Sequence, residues 1–467
     1  MAIKNISVGD SDQLVNQVTD LSERFDKIKH ISILAESHLK ARMEVPSSMA
    51  FGVKDHICFA LSSPEQNCGM ALVTTPFMKD DLNDNRVDKL FNELRNTIPL
   101  PPRNDRLINS NDLNNIFSRG AEWVIDKYDL NPDNLKAIAE NGNTNPTDDL
   151  DYLLSTIPNE VQDVALNWFG HVGDGNHFLE MQYVDEVIDT TACSKLGIMP
   201  GQIMIMYHSG SGYVGGLLGR FYAHRKKNNL QAHFQLLQKK AKFHLASSKD
   251  MESFVDRFKY YIFPKHFTFI PAESEEAKRS LVSIKSSTNF AYANRLFIYK
   301  TVRDIFQKVM GPEAEKIMVF RDQPHNVMSS ENINGEDLWV HRHNSCRIAP
   351  PSLFEKETDY PVNGQPFFIS GTNTTSSYIF LSDEGCKDTL YSVDHGAGKL
   401  TDKYIISGNS SVIDDKHTKI FTYRSPMPDI KKHYTDEAIT AMMQSLSINK
   451  VAQPIARLKP IAALKGR

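Results

Sequence analysis

One glutamate, one cysteine and three histidines occupy turn-like positions in this sequence, and their side chains are of the types that bind divalent metal ions. Glu65 and Cys68 share a Pro-Glu-Gln-Asn-Cys-Gly turn, and His177, His208 and His325 each stand beside or near glycine, proline or asparagine. A carboxylate, a thiolate and three imidazoles can serve one or two ions. Each histidine taken singly is more commonly a hydrogen-bonded structural residue, and none has zinc-finger spacing. The residue types therefore favour a metal site and leave the structural alternative open.

The pentapeptide His395-Gly396-Ala397-Gly398-Lys399 places a further histidine beside small residues. Glycine adopts backbone angles that other residues avoid, so such a loop can surround a phosphate with its N–H groups. The alternative is an ordinary tight turn, because Gly-x-Gly sequences after a histidine are common. Taken alone, the pentapeptide indicates a turn; together with the other candidate residues it indicates a phosphate site.

Composition limits the class of protein. The chain has 467 residues, of which 40% are hydrophobic and 24% charged, and its net charge of −4 argues against a protein that coats nucleic acid indiscriminately. The N-terminus lacks the apolar core of a secretory signal, and no apolar run reaches the roughly 18 residues of a membrane helix. Five widely spread cysteines fit reduced thiols. These features predict a soluble, cytoplasmic globular protein.

Hydrophobic periodicity predicts the elements that must position these residues. Leu14, Val18, Leu21, Phe25 and Ile28 recur at spacings of three and four, which predicts a helix over 11–45. The other predicted segments are β-like 49–75, mainly helical 105–170, short strands around 176–180 and 203–208, helical 214–310, and alternating short strands and turns from about 315.

Domain boundaries by this pattern fall near 45, 215 and 310. The candidate residues, however, are spread from position 65 to position 465. A site that draws on nearly the whole chain predicts one integrated catalytic domain over residues 1–467, with a helical insertion at about 214–310.

Eight segments occur in a recognisable order: GNHFLE, YHSGSG, YANR, HNV, VHR, SGTNTTSSY, VDHGAGK and LKPIAALKG. Together with the Glu-x-Asn-Cys-Gly turn, this series resembles the RtcB family of RNA ligases over roughly residues 45–466. The resemblance implies an α+β fold with central β-sheets and a cleft for metal and nucleotide. Its specificity comes from the order of the segments.

The resemblance also implies roles for individual residues. His395 would attack the α-phosphorus of GTP and become guanylylated. Cys68 would bridge two Mn²⁺ ions, with Glu65 and His177 on one ion and His208 and His325 on the other. Glu180 would read guanine. The implied nucleotide-contacting residues are Asn176, His177, Phe178, Leu179, Glu180, His325, Asn326, Ser370, Gly371, Thr372, Asn373, Ser377, His395, Gly396, Ala397, Gly398 and Lys465.

Strand geometry is compatible with two of these roles. If residues 176–180 are extended, Asn176, Phe178 and Glu180 share one face and His177 points to the other. One strand could then present nucleotide contacts and a metal ligand on opposite sides.

The implied reaction joins RNA ends in tRNA splicing or repair. A 2′,3′-cyclic phosphate would open to a 3′-phosphate, GMP would pass from His395 to that phosphate, and a 5′-hydroxyl would displace it. Arg295 and Arg342 match family positions that could contact the reacting phosphates. The basic stretches 224–227 and 239–242 could hold RNA, although the solvated face of a helix is the alternative.

Several positions depart from the family pattern. Glu65 replaces aspartate, Arg342-His343-Asn344 replaces Arg-Lys-Gly, and Lys399 replaces arginine, which exchanges a bidentate fork for a point charge. The segment 370–374 also differs. Two alternatives therefore stay open: an enzyme that caps 3′-phosphate ends with guanylate without efficient joining, and a non-enzymatic RNA-binding relative.

Overall fold

The structure, a computed structural model, describes residues 2–9, 12–40, 43, 45–63, 65–98, 100, 106–223, 230–264, 267–357, 361–413, 418–423, 430 and 432–466. The predicted basic stretch at 224–227 lies outside these residues.

The described residues contain both strands and helices, which confirms the predicted α+β class. The strands are β1 Ala2–Asn5, β2 Ile28–His38, β3 Ser47–Val53, β4 His56–Ile57, β5 Cys68–Met78, β6 Phe178–Val187, β7 Gln202–Ser209, β8 Ile270–Pro271, β9 Met318–His325, β10 Met328–Ile333, β11 Glu336–His343, β12 Ser345–Arg347, β13 Pro366–Ile369, β14 Ser377–Ser382, β15 Ser392–Asp394, β16 Val412–Ile413, β17 Lys419–Thr422, β18 His433–Tyr434 and β19 Ala452–Lys465. The helices are α1 Asp12–Arg24, α2 Asp84–Thr97, α3 Ser110–Arg119, α4 Ala121–Tyr128, α5 Leu150–Ser155, α6 Asn159–Trp168, α7 Thr190–Lys195, α8 Tyr213–Tyr222, α9 Leu230–Leu245, α10 Met251–Arg257, α11 Glu275–Met310, α12 Pro351–Glu357, α13 Gly398–Ile406 and α14 Glu437–Ile448.

A ten-stranded sheet forms the centre of the molecule and nearly closes on itself. Its strands run in the order β13-β14-β19-β6-β7-β5-β9-β12-β15, and β17 pairs with β19. Beyond the two edge strands, Ser370 and Gly396 form a parallel bridge, and Ala397 N donates to Ser370 O at 2.8 Å. The two edges therefore meet beside residues 395–398, hereafter the His395 loop.

The two faces of the central sheet bury different apolar clusters. Successive residues of a strand face opposite sides. On β5, Ala71 and Val73 pack with the helices in the largest core, whereas Met70 and Leu72 pack with Phe368 in a second core on the opposite face. Cys68 is two residues before Met70 and shares its face.

A five-stranded sheet in the order β1-β2-β3-β11-β10 lies beside the central sheet. Its strands β2 and β3 contact β15, the strand that leads into the His395 loop. The end of β2 is therefore close to the predicted nucleophile.

The helical layer centres on α11, which is 36 residues long. Its N-terminus is capped by Ser274, whose side chain accepts from Ala277 N at 3.2 Å. α11 contacts α2, α3 and α4, so helices from two parts of the chain share one core. Helices are thus confirmed in both 105–170 and 214–310. The assignment of 1–467 to one domain, with 214–310 as an insertion, stays a prediction.

The helix predicted over 11–45 is wrong in its second half. α1 ends at Arg24, and the chain continues as β2 from Ile28. β2 pairs with β3, and its β-branched Ile31 and Ile33 are buried on alternate positions. The spacing of three and four continued past the true end of the helix by chance.

The other predicted strands are confirmed with shifted ends. β3 and β5 lie in the β-like segment, β7 covers 203–208, and short strands fill the chain after 315. The strand near 176–180 begins only at Phe178. Among the described residues, no helix combines the length and the apolar character that crossing a membrane requires.

Candidate metal and nucleophile site

Three neighbouring strands of the central sheet carry Cys68, His208 and His325 to one end of it. Cys68 is the first residue of β5 and His325 the last of β9, and the two are register partners. His208, on β7, pairs with Met70. Paired residues project from the same face, as do residues two apart on one strand. The cysteine and both histidines therefore share the face that Met70 occupies.

Cys68, His177, His208 and His325 converge in a buried group, hereafter the Cys–His cluster. Cys68 Sγ lies 3.2 Å from His177 Nε2 and 3.2 Å from His208 Nε2. His208 Nε2 lies 3.4 Å from His325 Nε2. All four side chains are buried.

Three residues of the cluster, Cys68, His177 and His208, have ligand atoms that all lie within 4.8 Å of one another and fit one divalent metal ion. Two ligand atoms that each lie roughly 2.0–2.3 Å from one ion are about 3–4 Å apart, as the atoms of the cluster are. Burial lowers the pKa of His177 and takes the pKa values of His208 and His325 well below the ordinary value, so these imidazoles are neutral. Burial raises the pKa of the Cys68 thiol. A bound cation would favour the thiolate that metal coordination requires.

His177 reaches the cluster from a turn rather than from a strand. Its N–H donates to Asp174 O at 3.4 Å, and β6 starts one residue later. Gly173 has φ +112°, and a Cβ there would lie 2.1 Å from His177 Nδ1, so glycine leaves room for the imidazole. Phe178 is the register partner of His208. The prediction that His177 points away from the Phe178 face is therefore wrong, because strict alternation holds only inside the strand.

The Glu65 carboxylate is exposed and, among the described residues, lies outside the group of converging ligand atoms. Its backbone oxygen accepts from Cys68 N at 3.2 Å and from Asn326 Nδ2 at 3.1 Å. Its charge adds to the rise in the pKa of Cys68 that burial causes. The role of Glu65 as a metal ligand stays a prediction.

His395 lies against the cluster with one ring nitrogen engaged. Its ring centroid is 4.4 Å from that of His325 and 5.9 Å from that of His208. Nδ1 lies 3.0 Å from Asn344 O, and because a carbonyl can only accept, Nδ1 carries the proton and Nε2 the lone pair. Burial lowers the pKa of His395 to about 4, so the ring is neutral at pH 7. A neutral imidazole with a defined lone pair can act as a nucleophile.

Asn326 connects the turn at Glu65 to His395, the candidate nucleophile. Its Nδ2 donates to Glu65 O at 3.1 Å, and its Oδ1 accepts from Asn344 N at 2.7 Å. The carbonyl of the same Asn344 holds His395. Both polar atoms of the Asn326 amide are therefore bound to protein, and this residue positions other groups in the structure.

A second polar pocket surrounds Glu180, which is only 3% exposed. Gln182 Nε2 donates to Glu180 Oε1 and, at 3.1 Å, to Ser377 Oγ. With its amide oriented to satisfy both neighbours, Asn373 donates to Glu180 Oε2 at 3.2 Å and accepts from Lys465 Nζ at 3.0 Å. Burial raises the pKa of Glu180 to about 7, against the opposing effect of Gln182 and Lys465. Three separated segments, 180–182, 373–377 and the end of β19 at Lys465, thus meet around one carboxylate.

The remaining residues of the segment 176–180, which was predicted to contact the nucleotide, have different surroundings. Asn176 is exposed in the turn before β6. Phe178 is half-buried, with its ring centroid 6.0 Å from that of His208. Leu179 is buried in the core that faces the helices, so it lies on the opposite face of the sheet from Glu180.

The loop after β13 contacts the His395 loop, and hydroxyl groups within it and at the start of β14 form hydrogen bonds with the same loop. Ser370 bridges Gly396 and accepts from Ala397 N, as described above. Gly371 N donates to Ser377 Oγ at 3.0 Å, and Thr372 Oγ1 lies 2.8 Å from Thr374 Oγ1. Gly398, at the end of the His395 loop, begins α13.

Two arginines expected to contact phosphates are buried and bound to protein groups in this structure, which gives that expectation no support. Arg295 is fully buried and donates to Asp322 at 2.6 and 2.8 Å and to Asn67 Oδ1 at 3.0 Å. Arg342 is also fully buried and donates to Ser392 Oγ, to Glu331 Oε1 and to backbone oxygens. Both guanidinium groups bind protein oxygens and hold strands together.

Three lysines are also committed to protein partners. Lys399 Nζ lies 3.1 Å from the carboxylate of Asp402 on the surface. Within the basic stretch 239–242, Lys240 is buried and donates to Ala223 O at 3.3 Å, and Lys239 Nζ lies 3.6 Å from a Glu160 oxygen. Buried Lys240 departs from the solvated helix face that was the alternative for this stretch, and the role of the stretch in holding RNA stays a prediction.

Four residues of this region were not expected from the sequence: Glu36, Gln182, Asn344 and Asp394. Glu36 and Asp394 are buried acids beside the His395 loop. A signal existed for Glu36, because an acidic residue stands inside the apolar run Ile-Leu-Ala-Glu-Ser. Gln182 follows Glu180 by two residues on one strand face, which is also readable. Asn344 acts through its backbone, so its side chain gives no such signal.

Known proteins resemble this chain along most of its length. A family model described as tRNA-splicing ligase RtcB matches residues 28–466. A protein named tRNA-splicing ligase RtcB from Methanococcus maripaludis is 25% identical over 422 residues, covering 86% of this chain and 80% of that relative. Its namesake from Nanoarchaeum equitans is 24% identical over 475 residues, covering 97% and 92%. RNA-splicing ligase RtcB homolog 1 from Entamoeba dispar is 25% identical over 416 residues, covering 86% and 71%.

The family model spans nearly the whole chain, and its match includes the Cys–His cluster and the His395 loop. This chain belongs to the RtcB family.

Proposed function

We propose that this protein is an RNA ligase that depends on GTP and two Mn²⁺ ions and joins 2′,3′-cyclic phosphate or 3′-phosphate ends to 5′-hydroxyl ends. The observation that carries the proposal is the neutral His395, whose Nδ1 is held by Asn344 O at 3.0 Å while its ring lies 4.4 Å from that of His325. Relatives named tRNA-splicing ligase make tRNA the first RNA to test.

His395 Nε2 attacks the α-phosphorus of GTP, and the bond from that phosphorus to pyrophosphate breaks. The Asn344 carbonyl stabilises the Nδ1–H as positive charge develops on the ring. GMP then passes from Nε2 to an oxygen of the RNA 3′-phosphate, which restores the neutral imidazole. The 5′-hydroxyl of the second strand attacks the activated phosphorus, and GMP leaves.

Cys68, His177, His208 and His325, with Glu65 from the adjoining turn, would hold the metal. When bound, the ions supply Lewis-acid stabilisation of charge on phosphate oxygens. The protein contributes the buried position of the cluster, with the half-buried His395 beside it.

Glu180 would select guanine. A carboxylate can accept from both the ring N–H and the exocyclic amine of that base. Asn373 and Gln182 already donate to its two oxygens, so they fix the orientation of the carboxylate. Lys465, Phe178 and Ser377 would line the same pocket.

A second candidate function is capping of 3′-phosphate ends with guanylate without efficient joining. It is favoured by one observation: the Arg342 guanidinium, which the resemblance placed near the reacting phosphates, is buried among protein oxygens. Guanylate transfer depends on His395 and the cluster, and these do not involve that guanidinium.

Label transfer from GTP tests both candidates. Wild-type protein incubated with Mn²⁺ and GTP labelled at the α-phosphate should acquire label, and His395→Ala should acquire none. The matched control is His56→Ala, whose imidazole also contacts a backbone carbonyl, that of Lys54 at 3.1 Å, but lies on β4. Label on His395→Ala at the wild-type level would refute the proposed nucleophile.

Addition of broken RNA then separates joining from capping. Sealed strands support the ligase, whereas accumulation of guanylate-capped 3′-ends supports the second candidate. A wild-type protein that takes no label but binds RNA would support the non-enzymatic alternative.

We also propose a cytoplasmic location, because all five cysteines are buried thiols rather than disulfides.

A further inference from the structure

Two buried acids join the end of β2 to the His395 loop by reciprocal hydrogen bonds. Glu36 Oε1 accepts from Lys399 N at 2.6 Å and from Leu400 N at 3.4 Å. Asp394 Oδ2 accepts from Ala35 N at 3.0 Å, and its Oδ1 accepts from Glu36 N at 2.9 Å. Asp394 thus binds the backbone at Glu36, and Glu36 binds the backbone that follows the His395 loop; we call this arrangement the Glu36–Asp394 clasp.

The clasp occupies the start of α13. The first N–H groups of a helix have no partner within the helix and attract anions. Here Glu36 takes two of them, those of Lys399 and Leu400, and Ala397 N binds Ser370 O. The helix start that follows the glycine-rich loop therefore binds a protein carboxyl group in place of a phosphate.

Both acids are buried: Glu36 is 5% exposed and Asp394 is fully buried. Burial and the neighbouring Asp394 raise the pKa of Glu36 to about 8, and burial raises that of Asp394 to about 6. Two acids held together away from water destabilise a fold unless their hydrogen bonds compensate. Departures of this kind from the usual composition of a protein interior are expected at functional or strained sites.

The clasp brackets the nucleophile along the chain. Asp394 directly precedes His395, and the N–H groups bound by Glu36 follow it by four and five residues. The ring itself is held by Asn344. The chain is therefore anchored to β2 on both sides of His395, through the Asp394 side chain before it and through main-chain N–H groups after it. The His395 ring is anchored to the turn after β11.

We propose that Glu36 is a positioning residue for His395, acting through the clasp to hold the loop so that Nε2 faces the Cys–His cluster. This inference rests on the proposed guanylate transfer to His395. The start of α13 then has a structural role, because its N–H groups bind Glu36. The phosphates of the nucleotide would bind on the side of His395 that faces the Cys–His cluster.

Substitutions at Glu36 separate positioning from general stability. Glu36→Ala removes the acceptor, and Glu36→Asp retracts it by one methylene. Glu36→Gln keeps an oxygen that can accept from both N–H groups. The control is Glu276→Gln, a buried carboxylate that binds Arg257 and Arg279 in the helical layer. If Glu36→Ala does not fold, Glu36→Asp provides the same test.

The first measurement is amide hydrogen exchange of residues 395–401 in the full chain, which needs no nucleotide. Glu36→Ala and Glu36→Asp should raise exchange at Lys399 and Leu400 by about tenfold, and Glu36→Gln and Glu276→Gln should not. Unchanged exchange in both loss variants, or an equal rise in Glu276→Gln, would overturn the clasp.

The second measurement is single-turnover label transfer from GTP with Mn²⁺, alongside GTP affinity. A displacement of about 1 Å can lower a rate about 100-fold. We expect a loss of that order in Glu36→Ala and Glu36→Asp with GTP affinity retained, and rescue by Glu36→Gln. Wild-type rates in both loss variants would overturn the positioning role. If wild-type protein takes no label, the proposed function fails, and the exchange data still decide whether the clasp exists.

Discussion

The backbone carbonyl of Asn344 determines which nitrogen of His395 is free to react. Asn344 has a left-handed backbone with φ 51°, and its N–H is held by Asn326 Oδ1 at 2.7 Å. Asn326 in turn donates to Glu65 O, in the turn that begins β5 at Cys68. The orientation of the His395 ring and the geometry of the turn before Cys68 therefore depend on the same amide.

Substitution of this amide tests the dependence. Asn326→Ala removes two buried hydrogen bonds, which should destabilise the protein by about 1–3 kcal/mol for each group left unpaired. It should also slow label transfer to His395, because Asn344 loses its anchor. Urea unfolding and single-turnover transfer measure the two effects. Asn332→Ala, which removes an exposed amide bound to Asp337, is the control; an equal loss of transfer in both variants would contradict the link.

Sequence motifs predict which residues converge at the candidate site better than they predict the role of each residue. Cys68, His177, His208 and His395 meet in the structure, as their resemblance to family segments implied. Arg295 matches a family position too, yet its guanidinium is consumed by Asp322 and Asn67. A motif records that a residue type is needed, and only packing shows whether its polar atoms face substrate or protein.

At the scale of elements, alternate residues of strand β6 face the helical core and the polar pocket around Glu180. Leu179 faces the helical core, and Glu180 and Gln182 face the pocket. The alternation of side chains along β6 was predictable from the sequence, but the residue at which the strand begins was not. Because the predicted strand began before Phe178, the prediction placed His177 on the wrong side. The boundary of α1 failed for a related reason, since apolar spacing alone cannot show where β2 takes over at Ile28.

Two neighbouring substitutions on β6 should therefore have opposite consequences. Leu179→Ala should lower the free energy of unfolding by about 2–5 kcal/mol, because it leaves a cavity in the core, and should leave the preference for GTP over ATP unchanged. Glu180→Gln should reduce that preference, because an amide can donate to adenine, with a smaller effect on unfolding. Denaturant titration and competition between labelled GTP and ATP provide the comparison. Equal nucleotide preference in Glu180→Gln and wild type would exclude Glu180 as the base-reading residue.

At the scale of the whole molecule, near-closure of the central sheet brings distant sequence together. Residues at positions 68, 208, 325 and 395 lie at one end of it, and Lys465 from the last strand reaches the adjoining pocket. Local sequence patterns could not predict that these residues meet at one end of the sheet, because their meeting depends on the order in which ten strands pair. The order of family segments identified the participants, and the pairing of β5 with β7 and β9 supplies their geometry.

A cluster assembled from distant strands should couple metal binding to global stability. Protein stripped of metal by a chelator and then given Mn²⁺ at pH 7.5 should show a higher Tm than the stripped form, because a ligand that binds only the folded state stabilises it. Cys68→Ala should lose most of this gain. Cys193→Ala should keep it, since that buried thiol donates to Ile455 O on β19 and is not one of the residues of the Cys–His cluster.

Acidification should remove the same gain. The pKa values of His177, His208 and His325 lie below the ordinary value in the folded protein because of burial. The unfolded chain therefore takes up protons first, and stability from these groups is fully present above about pH 6.5 and falls as pH decreases below it. Protons also compete with the metal for the imidazoles. The rise in Tm on adding Mn²⁺ should thus shrink between pH 7.5 and pH 5.5 in wild-type protein and in Cys193→Ala alike. A rise that is the same at both pH values would show that Mn²⁺ stabilises the protein through groups other than these histidines.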